Sequence, residues 1–283
     1  MSIKVSNLFY TYLPKSKQEY PALKDINLTI DEHSFVGILG ETGSGKSTLI
    51  QTFNALLLPT SGQVEVDEFT VLPNKRKNKR IKDLRKHLSI VFQFPEYQLF
   101  EETVEKDVAF GLKNFGASNE EAIEKAHQAL KEVGINETYY QRSPFELSGG
   151  EKRRVAIAGI FAIDPDILIL DEPTVGLDPE GCQVIMDLVQ KMYEKGKTII
   201  IVTHDMEVVM KYCKQVIVLH DSHLVFQGTP TDLFLNLKDE YSIEIPQLYI
   251  LANTLKNRGF NISIDDIHNV DDLIQQIKEN IHG

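Results

Sequence analysis

The sequence predicts an α/β fold with a mainly parallel (mixed) sheet, an antiparallel edge subdomain, an inserted helical subdomain and a C-terminal extension. Four short runs, FVGILG, LSIVFQ, DILILDE and TIIIVTH, are continuous and rich in Ile, Val and Leu, as strands buried on both faces of a parallel sheet are. Helical stretches lie between them, the alternation that gives an α/β architecture. From about Glu96 to Phe145 strand signals vanish and helical periodicity takes over.

Along the chain, IKVSNLFYTY alternates loosely and ALKDINLTI follows closely; both read as antiparallel strands near an edge. The stretch NKRKNKRIKDLRKH is strongly basic. An exposed, solvated loop or helix accounts for it, with contact to acidic lipid headgroups as the alternative. TVEKDVAFGLKNF and EEAIEKAHQALKEVG read as helices, the second with Ala122, Ala126, Ala129 and Val133 on one face. They define a helical subdomain over about residues 96–147, inside a domain expected to span 1–228. After Gly228, TPTDLF opens a different region, 229–283. There NVDDLIQQIKENI sets Val270, Leu273, Ile274, Ile277 and Ile281 at helical spacing behind Asn269 as N-cap. That stripe suits packing on the chain's own body and equally a contact with another subunit. No internal repeat occurs.

At 42% apolar and 25% charged, the 283 residues have the composition of a globular protein with a full core. The formal charge of -11, from 41 acidic and 30 basic residues, argues against a general nucleic-acid binder, which carries a basic face. Cys182 and Cys213 have no metal-like spacing and no disulfide framework, so a reducing cytosol is expected. MSIKVSN lacks an apolar signal core, and VAIAGIFAI and TIIIV fall short of the roughly 18 residues that span a bilayer. A membrane role is therefore expected to be peripheral.

Three motifs carry the chemistry. The first is GETGSGKST, comprising Gly40, Glu41, Thr42, Gly43, Ser44, Gly45, Lys46, Ser47 and Thr48, directly after the strand FVGIL. It matches the phosphate-binding pattern G-x-x-x-x-G-K-S/T. Its glycines let main-chain N–H groups wrap an anion at a helix N-terminus. Lys46 is expected to reach the β- and γ-phosphates, and Ser47 to offer its hydroxyl to Mg2+. The second, ILILDE, places Asp171 and Glu172 at the C-terminal end of a buried strand, where α/β sheets bind ligands. Asp171 suits a Mg2+ contact, and Glu172 suits a general base acting on water. The third, FELSGGEKRR, gives Ser148 and Glu151 the spacing of a capping box. A cap needs no glycines, yet Gly149 and Gly150 stand between them, and small residues at a helix start let a phosphate approach.

LSGGE, lying about a hundred residues beyond the phosphate loop and just before DE, resembles the signature of the ATP-binding-cassette ATPases. The resemblance implies a P-loop NTPase domain of that type, in which one subunit's signature covers the γ-phosphate held by the other subunit. It further implies that Tyr12 stacks on adenine and that Gln93 approaches Mg2+ and the attacking water. Asp178, in PTVGLDP, would belong to the loop that touches the partner, and His204 would contact the γ-phosphate. The matched core runs from about residue 3 to 228.

VFQFPEYQLFEETVEKDVAFG, SPFELSGGEKRRVAIAG and DEPTVGLDP are similar, more narrowly, to the energising subunits of energy-coupling-factor transporters. The N-terminal segment and the basic stretch most resemble the second ATPase of the heterodimeric kind. This implies ATP and Mg2+ as ligands and a related, non-identical ATPase as partner. A transmembrane coupling subunit and a membrane substrate-binding subunit for a vitamin or similar micronutrient are also implied, at the cytoplasmic face of the cell membrane. Two departures, Glu151 where glutamine is commoner and Val175 where alanine is commoner, remove no ligand. Phe94, Tyr97, Leu99 and Phe100 form an apolar cluster suited to gripping a cytoplasmic helix of the membrane partner, or else to the chain's own core. An ATPase of an ordinary importer dependent on a soluble binding protein would keep every catalytic residue. DNA-repair and chromosome-maintenance relatives insert long coiled coils that this acidic chain lacks.

Overall fold

The computed structural model describes residues 2–74, 76, 78–238, 241, 243–267 and 270–282, with 281 and 282 described by backbone alone. The main sheet contains β3 (Phe35–Leu39), β6 (Leu88–Val91), β7 (Ile167–Asp171), β8 (Thr198–Val202), β9 (Gln215–His220) and β10 (His223–Gly228). Their order is β10-β9-β3-β8-β7-β6, with every neighbouring pair parallel except β9 and β10. The four apolar runs are β3, β6, β7 and β8, as the sequence predicts. Their continuity has a direct cause: successive side chains point to opposite faces, and both faces are covered. Phe35, Leu168, Leu170, Ile199 and Ile201 enter one core cluster, while Val36, Ile38, Ile167, Ile169, Ile200 and Val202 enter the other.

The second cluster is closed by an antiparallel sheet of β1 (Ile3–Tyr12), β2 (Tyr20–Ile30), β4 (Ser61–Val66) and β5 (Phe69–Val71), in the order β2-β1-β4-β5, and by α1 (Lys46–Phe53). Thus β2 is an edge strand, whereas β1 is interior, flanked by β2 and β4. The basic stretch contains α2 (Ile81–His87), where Lys82, Asp83 and Lys86 are exposed, Ile81, Arg85 and His87 half-buried and only Leu84 buried; Lys75 and Lys77 lie outside the described residues.

Between β6 and β7 come α3 (Val104–Asn114) and α4 (Asn119–Glu132), then α5 (Gly149–Phe161). Thr103 and Ser118 cap the first two through their hydroxyls, worth about 1 kcal/mol each. Ala122, Ala126, Ala129 and Val133 are all buried, the expected face, and α5 shares that core. Further helices are α6 (Pro179–Glu194), α7 (Met206–Tyr212), α8 (Pro230–Leu235), α9 (Gln247–Asn257) and α10 (Val270–His282). The C-terminal stripe divides: Leu273 is buried and Ile277 packs on the core, while Val270 and Ile274 are exposed. It therefore serves the chain's own body with one edge and leaves the other free. Asn269 and the Ile281 side chain lie outside the described residues.

Candidate functional site

The phosphate loop leaves β3 and enters α1, whose N-cap is Gly45 at φ 106°. Only glycine fits there: a Cβ on Gly45 would stand 2.5 Å from the Ala22 carbonyl oxygen, and one on Gly40 would stand 2.1 Å from that of Leu219. The Lys46 ammonium turns onto its own loop, donating to the carbonyls of Gly40 at 2.6 Å and Glu41 at 2.8 Å. Burial pulls Lys46 below its ordinary pKa, while Glu172, Asp171 and Glu41 oppose the shift.

Ser47 Oγ donates to Asp171 Oδ2 at 3.0 Å, joining the loop to the end of β7. Burial is the main cause that raises the Asp171 carboxyl above its ordinary value, and the Glu172 charge adds to it. The Ser47 hydrogen bond and Lys46 work the other way. A raised acid pKa means the native state holds its proton more tightly than the unfolded chain. Stability is then complete below the ordinary carboxylate range and is lost as pH rises through the native value. Asp171→Asn, which mimics the neutral form, is expected to raise the melting temperature of the nucleotide-free chain at pH 7. A gain of about 1 kcal/mol corresponds to roughly 2–4 °C. The gain should disappear when the unfolding scan is repeated below the carboxylate range. A scan in which the variant melts lower at pH 7 would contradict this.

Glu172 sits just beyond β7 at φ 50°, left-handed and uncommon for a residue with a side chain. Its carboxylate meets His204 Nδ1 at 2.9 Å through Oε1, and Thr203 Oγ1 donates to Oε2 at 3.4 Å. Its carbonyl accepts from Arg153 Nη2 at 2.8 Å, and Nη1 of the same guanidinium donates to the Val175 carbonyl. Arg153 is only 2% exposed, so α5 is pinned to the loop after β7 by a buried cation. Burial is the chief reason its guanidinium pKa is lowered.

A cavity of about 350 Å³ gathers Tyr12, Thr42, Gly43, Gly45, Lys46, Ser47, Thr48, Gln93, Asp171 and Glu172. Gly40, Glu41, Ser44, Asp178 and His204 are not among its walls. Ser44 Oγ is buried and makes no hydrogen bond, an unsatisfied donor beside a loop shaped for an anion. Tyr12 bonds Thr48 Oγ1 at 3.1 Å, and Tyr20, which sequence reading missed, bonds the Gly43 carbonyl at 3.4 Å. Tyr12 and Tyr20 are direct partners in the β1–β2 register; pairing the two strands residue by residue could have found the second ring. Arg153 was also missed, and no local pattern announces it.

The signature lies elsewhere. Ser148 Oγ accepts from the Glu151 main chain at 3.3 Å, and Glu151 Oε2 accepts from the Ser148 N–H at 2.9 Å, so the capping box is real. Ser148, Gly149, Gly150 and Glu151 contribute nothing to the cavity wall. A Cβ on Gly149 would meet nothing within 4 Å, and one on Gly150 only the end of Arg154 at 3.9 Å. Asp178 caps α6, accepting from the Gly181 N–H at 2.7 Å. In the aromatic cluster, Tyr97 is 85% and Phe100 56% exposed, but Leu99 is 7% exposed and belongs to the core. Its expected place in a docking surface is thereby corrected: as a short apolar side chain it turns inward beneath the rings. Phe110, itself partly exposed, lies edge-on to Phe100 with ring centroids 4.8 Å apart.

A largely parallel sheet with a phosphate loop after β3, an Asp-Glu pair at the end of β7 two strands away, and the LSGGE signature at the start of α5 together mark an ATPase of the ATP-binding-cassette class. The family model described as ABC transporter matches residues 23–175. The energy-coupling factor transporter ATP-binding protein EcfA2 of Spiroplasma kunkelii is 46% identical over 99% of this chain and 92% of its own length. The EcfA2 of Streptococcus pyogenes is 48% identical over 93% and 94%. Among solved structures, cbiO1 from Clostridium perfringens, part of the ABC transporter complex cbiONQ, has a TM-score of 0.71. It is 38% identical over 90% of this chain and 96% of its own. The ATP-binding cassette MJ0796, a dimer in a post-hydrolysis state with ADP and Pi, has a TM-score of 0.73 at 33% identity over 81% and 98%. The chain belongs to the ATP-binding proteins of energy-coupling factor transporters. It is an ATP-binding subunit and an ATPase coupled to transport.

Proposed function

We propose that this chain supplies half of each of two ATP sites in a head-to-tail pair with a related, non-identical ATPase. The pair would power uptake of a vitamin or similar micronutrient through a transmembrane coupling subunit and a membrane substrate-binding subunit. The observation that carries this reading is the placement of the signature. Gly149 and Gly150 have no neighbour in their own chain that requires glycine, and the signature is absent from the wall of the chain's own cavity. Their smallness answers to a surface outside the chain. The dimeric state of MJ0796 supports pairing of two ATPases, and the place of cbiO1 in the ABC transporter complex cbiONQ supports further subunits.

In this reading the loop from Gly40 to Thr48 and Tyr12 hold ATP, with Tyr20 as a second ring on the base side. Mg2+ would be held by oxygens of Ser47, Asp171 and Gln93. The fit is chemical: the Ser47–Asp171 pair presents hard oxygens side by side, and a cation there would offset the burial and Glu172 charge that raise the Asp171 carboxyl. Mg2+ would neutralise charge on the phosphates. Glu172 would take a proton from the attacking water, while His204, now on Glu172 Oε1, would orient that carboxylate and reach the γ-phosphate on closure. Asp178 would act at the partner contact by holding the start of α6. Residues 1–228 form the ATPase domain, with a helical subdomain inserted over about 96–147, and 229–283 an extension that meets the partner.

Among the described residues no helix is long and apolar enough to cross a membrane, which suits a peripheral subunit at the cytoplasmic face. Tyr97, Phe100 and Phe110 supply its docking surface. Asp107 accepts from the N–H groups of Phe100 and Glu101, both at 2.8 Å, and so fixes the loop that presents them. Tyr97→Glu combined with Phe100→Glu is expected to leave ATP binding within about twofold while abolishing recovery of membrane subunits with the tagged chain. A double variant that retains its full membrane complement would sink the docking proposal.

A further inference from the structure

We propose that Glu41, His220 and Asp221 form a binding site for a divalent first-row transition ion, of which zinc is the natural probe. One ligand atom from each of the three, two carboxylate oxygens and a ring nitrogen, lies within 4.8 Å of the others, the only such group among the described residues. His220 Nδ1 stands 3.4 Å from Glu41 Oε1. It is nevertheless buried and makes no hydrogen bond, so the pair has the spacing of neighbours without the geometry of donor and acceptor. Two ligands of a tetrahedral zinc, with bonds of about 2.0–2.1 Å, stand about 3.3–3.4 Å apart. An orphaned buried ring nitrogen at that distance from a carboxylate fits an ion between them.

The surroundings hold the imidazole for this use. His220 ends β9, fixed on one side by its parallel partner β3 and on the other by β10. The Tyr241 ring packs against it with centroids 6.2 Å apart, limiting ring rotation as outer-shell groups do in metal sites. Asp221 follows at the β9–β10 turn, its side chain 81% exposed; its carboxylate stands 3.9 Å from Nε2, the other ring nitrogen, and swings in from solvent to take the third position on an ion at Nδ1. A ring nitrogen beside two carboxylates favours zinc and its transition-metal neighbours over Mg2+.

Glu41 gives the site its consequence. Its main-chain carbonyl accepts from the Lys46 ammonium at 2.8 Å, while its side chain faces His220. An ion held there ties the phosphate loop to the β9–β10 turn in the arrangement that keeps Lys46 on its own carbonyls. Zinc and ATP then oppose each other, and by linkage each weakens the other's binding.

The test is a zinc titration of the purified, nucleotide-free full chain against a chromophoric indicator. It is repeated with His220→Gln, Asp221→Asn and, as a thiol control, Cys182→Ser. One zinc per chain is expected, bound at least about tenfold more weakly by the first two variants and unchanged in the third. Co2+ should give visible absorption of tetrahedral intensity without a thiolate band. Matched melting curves in chelator establish that His220→Gln is folded. In the transporter complex, zinc should raise the KM for ATP for the unmodified chain and not for His220→Gln. Zinc affinity unchanged by His220→Gln, or lost with Cys182, overturns the site; a KM that does not move with zinc overturns the tie to the loop.

Discussion

Glu172→Gln is expected to leave ATP binding within about twofold and to lower turnover of the assembled transporter by about two to four orders of magnitude. That is the range for losing a general base. The substitution preserves volume, so the packing around φ 50° is kept. It removes the one carboxylate that the cavity wall, Thr203 and His204 share. The amide retains a single oxygen, so one of the contacts to Thr203 and His204 must weaken or invert. Nucleotide affinity should change little, because the hydrogen bonds that hold Lys46 and Ser47 in the loop go to Gly40, Glu41 and Asp171 and not to Glu172. Equilibrium binding of a fluorescent ATP analogue and steady-state phosphate release measure the two quantities. Near-normal release would remove Glu172 from the role proposed for it.

The second large effect is expected at Arg153. Its guanidinium is buried and serves two main-chain carbonyls, those of Glu172 and Val175. Arg153→Met keeps the length and apolar stem but leaves both carbonyls without that donor, at about 1–3 kcal/mol for each buried unsatisfied group. Removing a desolvated cation offsets part of this, so a net loss of about 2 kcal/mol is expected. That corresponds to a melting temperature lower by roughly 4–8 °C. Turnover should fall beyond what the unfolded fraction explains, because the left-handed residue that carries the carboxylate loses its anchor. A drop in kcat with little change in KM separates this positioning effect from simple destabilisation. Arg153→Lys, which keeps the charge but cannot fork to both carbonyls, should fall between the two. Unchanged stability and kcat in Arg153→Met would refute the assignment.

These two residues mark where the sequence is legible and where it is not. Glu172 follows a continuous apolar strand, and the phosphate loop is contiguous, so local order suffices to read both. The capping box at Ser148 is equally local and forms as its spacing predicts. Strands β3, β6, β7 and β8 are readable because their two-sided burial leaves no polar alternation to blur them. Arg153 instead acts on carbonyls 19 and 22 residues away, across a helix and a strand, and no periodicity encodes that reach. Tyr20 becomes visible only through the register that pairs it with Tyr12. Leu99 reads as one more exposed apolar residue until the turn at Pro95–Gln98 is built and sends it inward. His220 and Glu41 are 179 positions apart by their numbers and meet only because β9 lies beside β3.

The central claim is that the signature of this chain closes over nucleotide held by another. It is tested most directly by cross-linking Ser148→Cys, in a Cys182→Ser, Cys213→Ala background, to a cysteine placed in the phosphate loop of the second ATPase. A heterodimer band is expected that requires ATP and is strongest when Glu172→Gln prevents turnover. A cross-link that forms equally without ATP, or none at all in a complex that hydrolyses ATP normally, would contradict it.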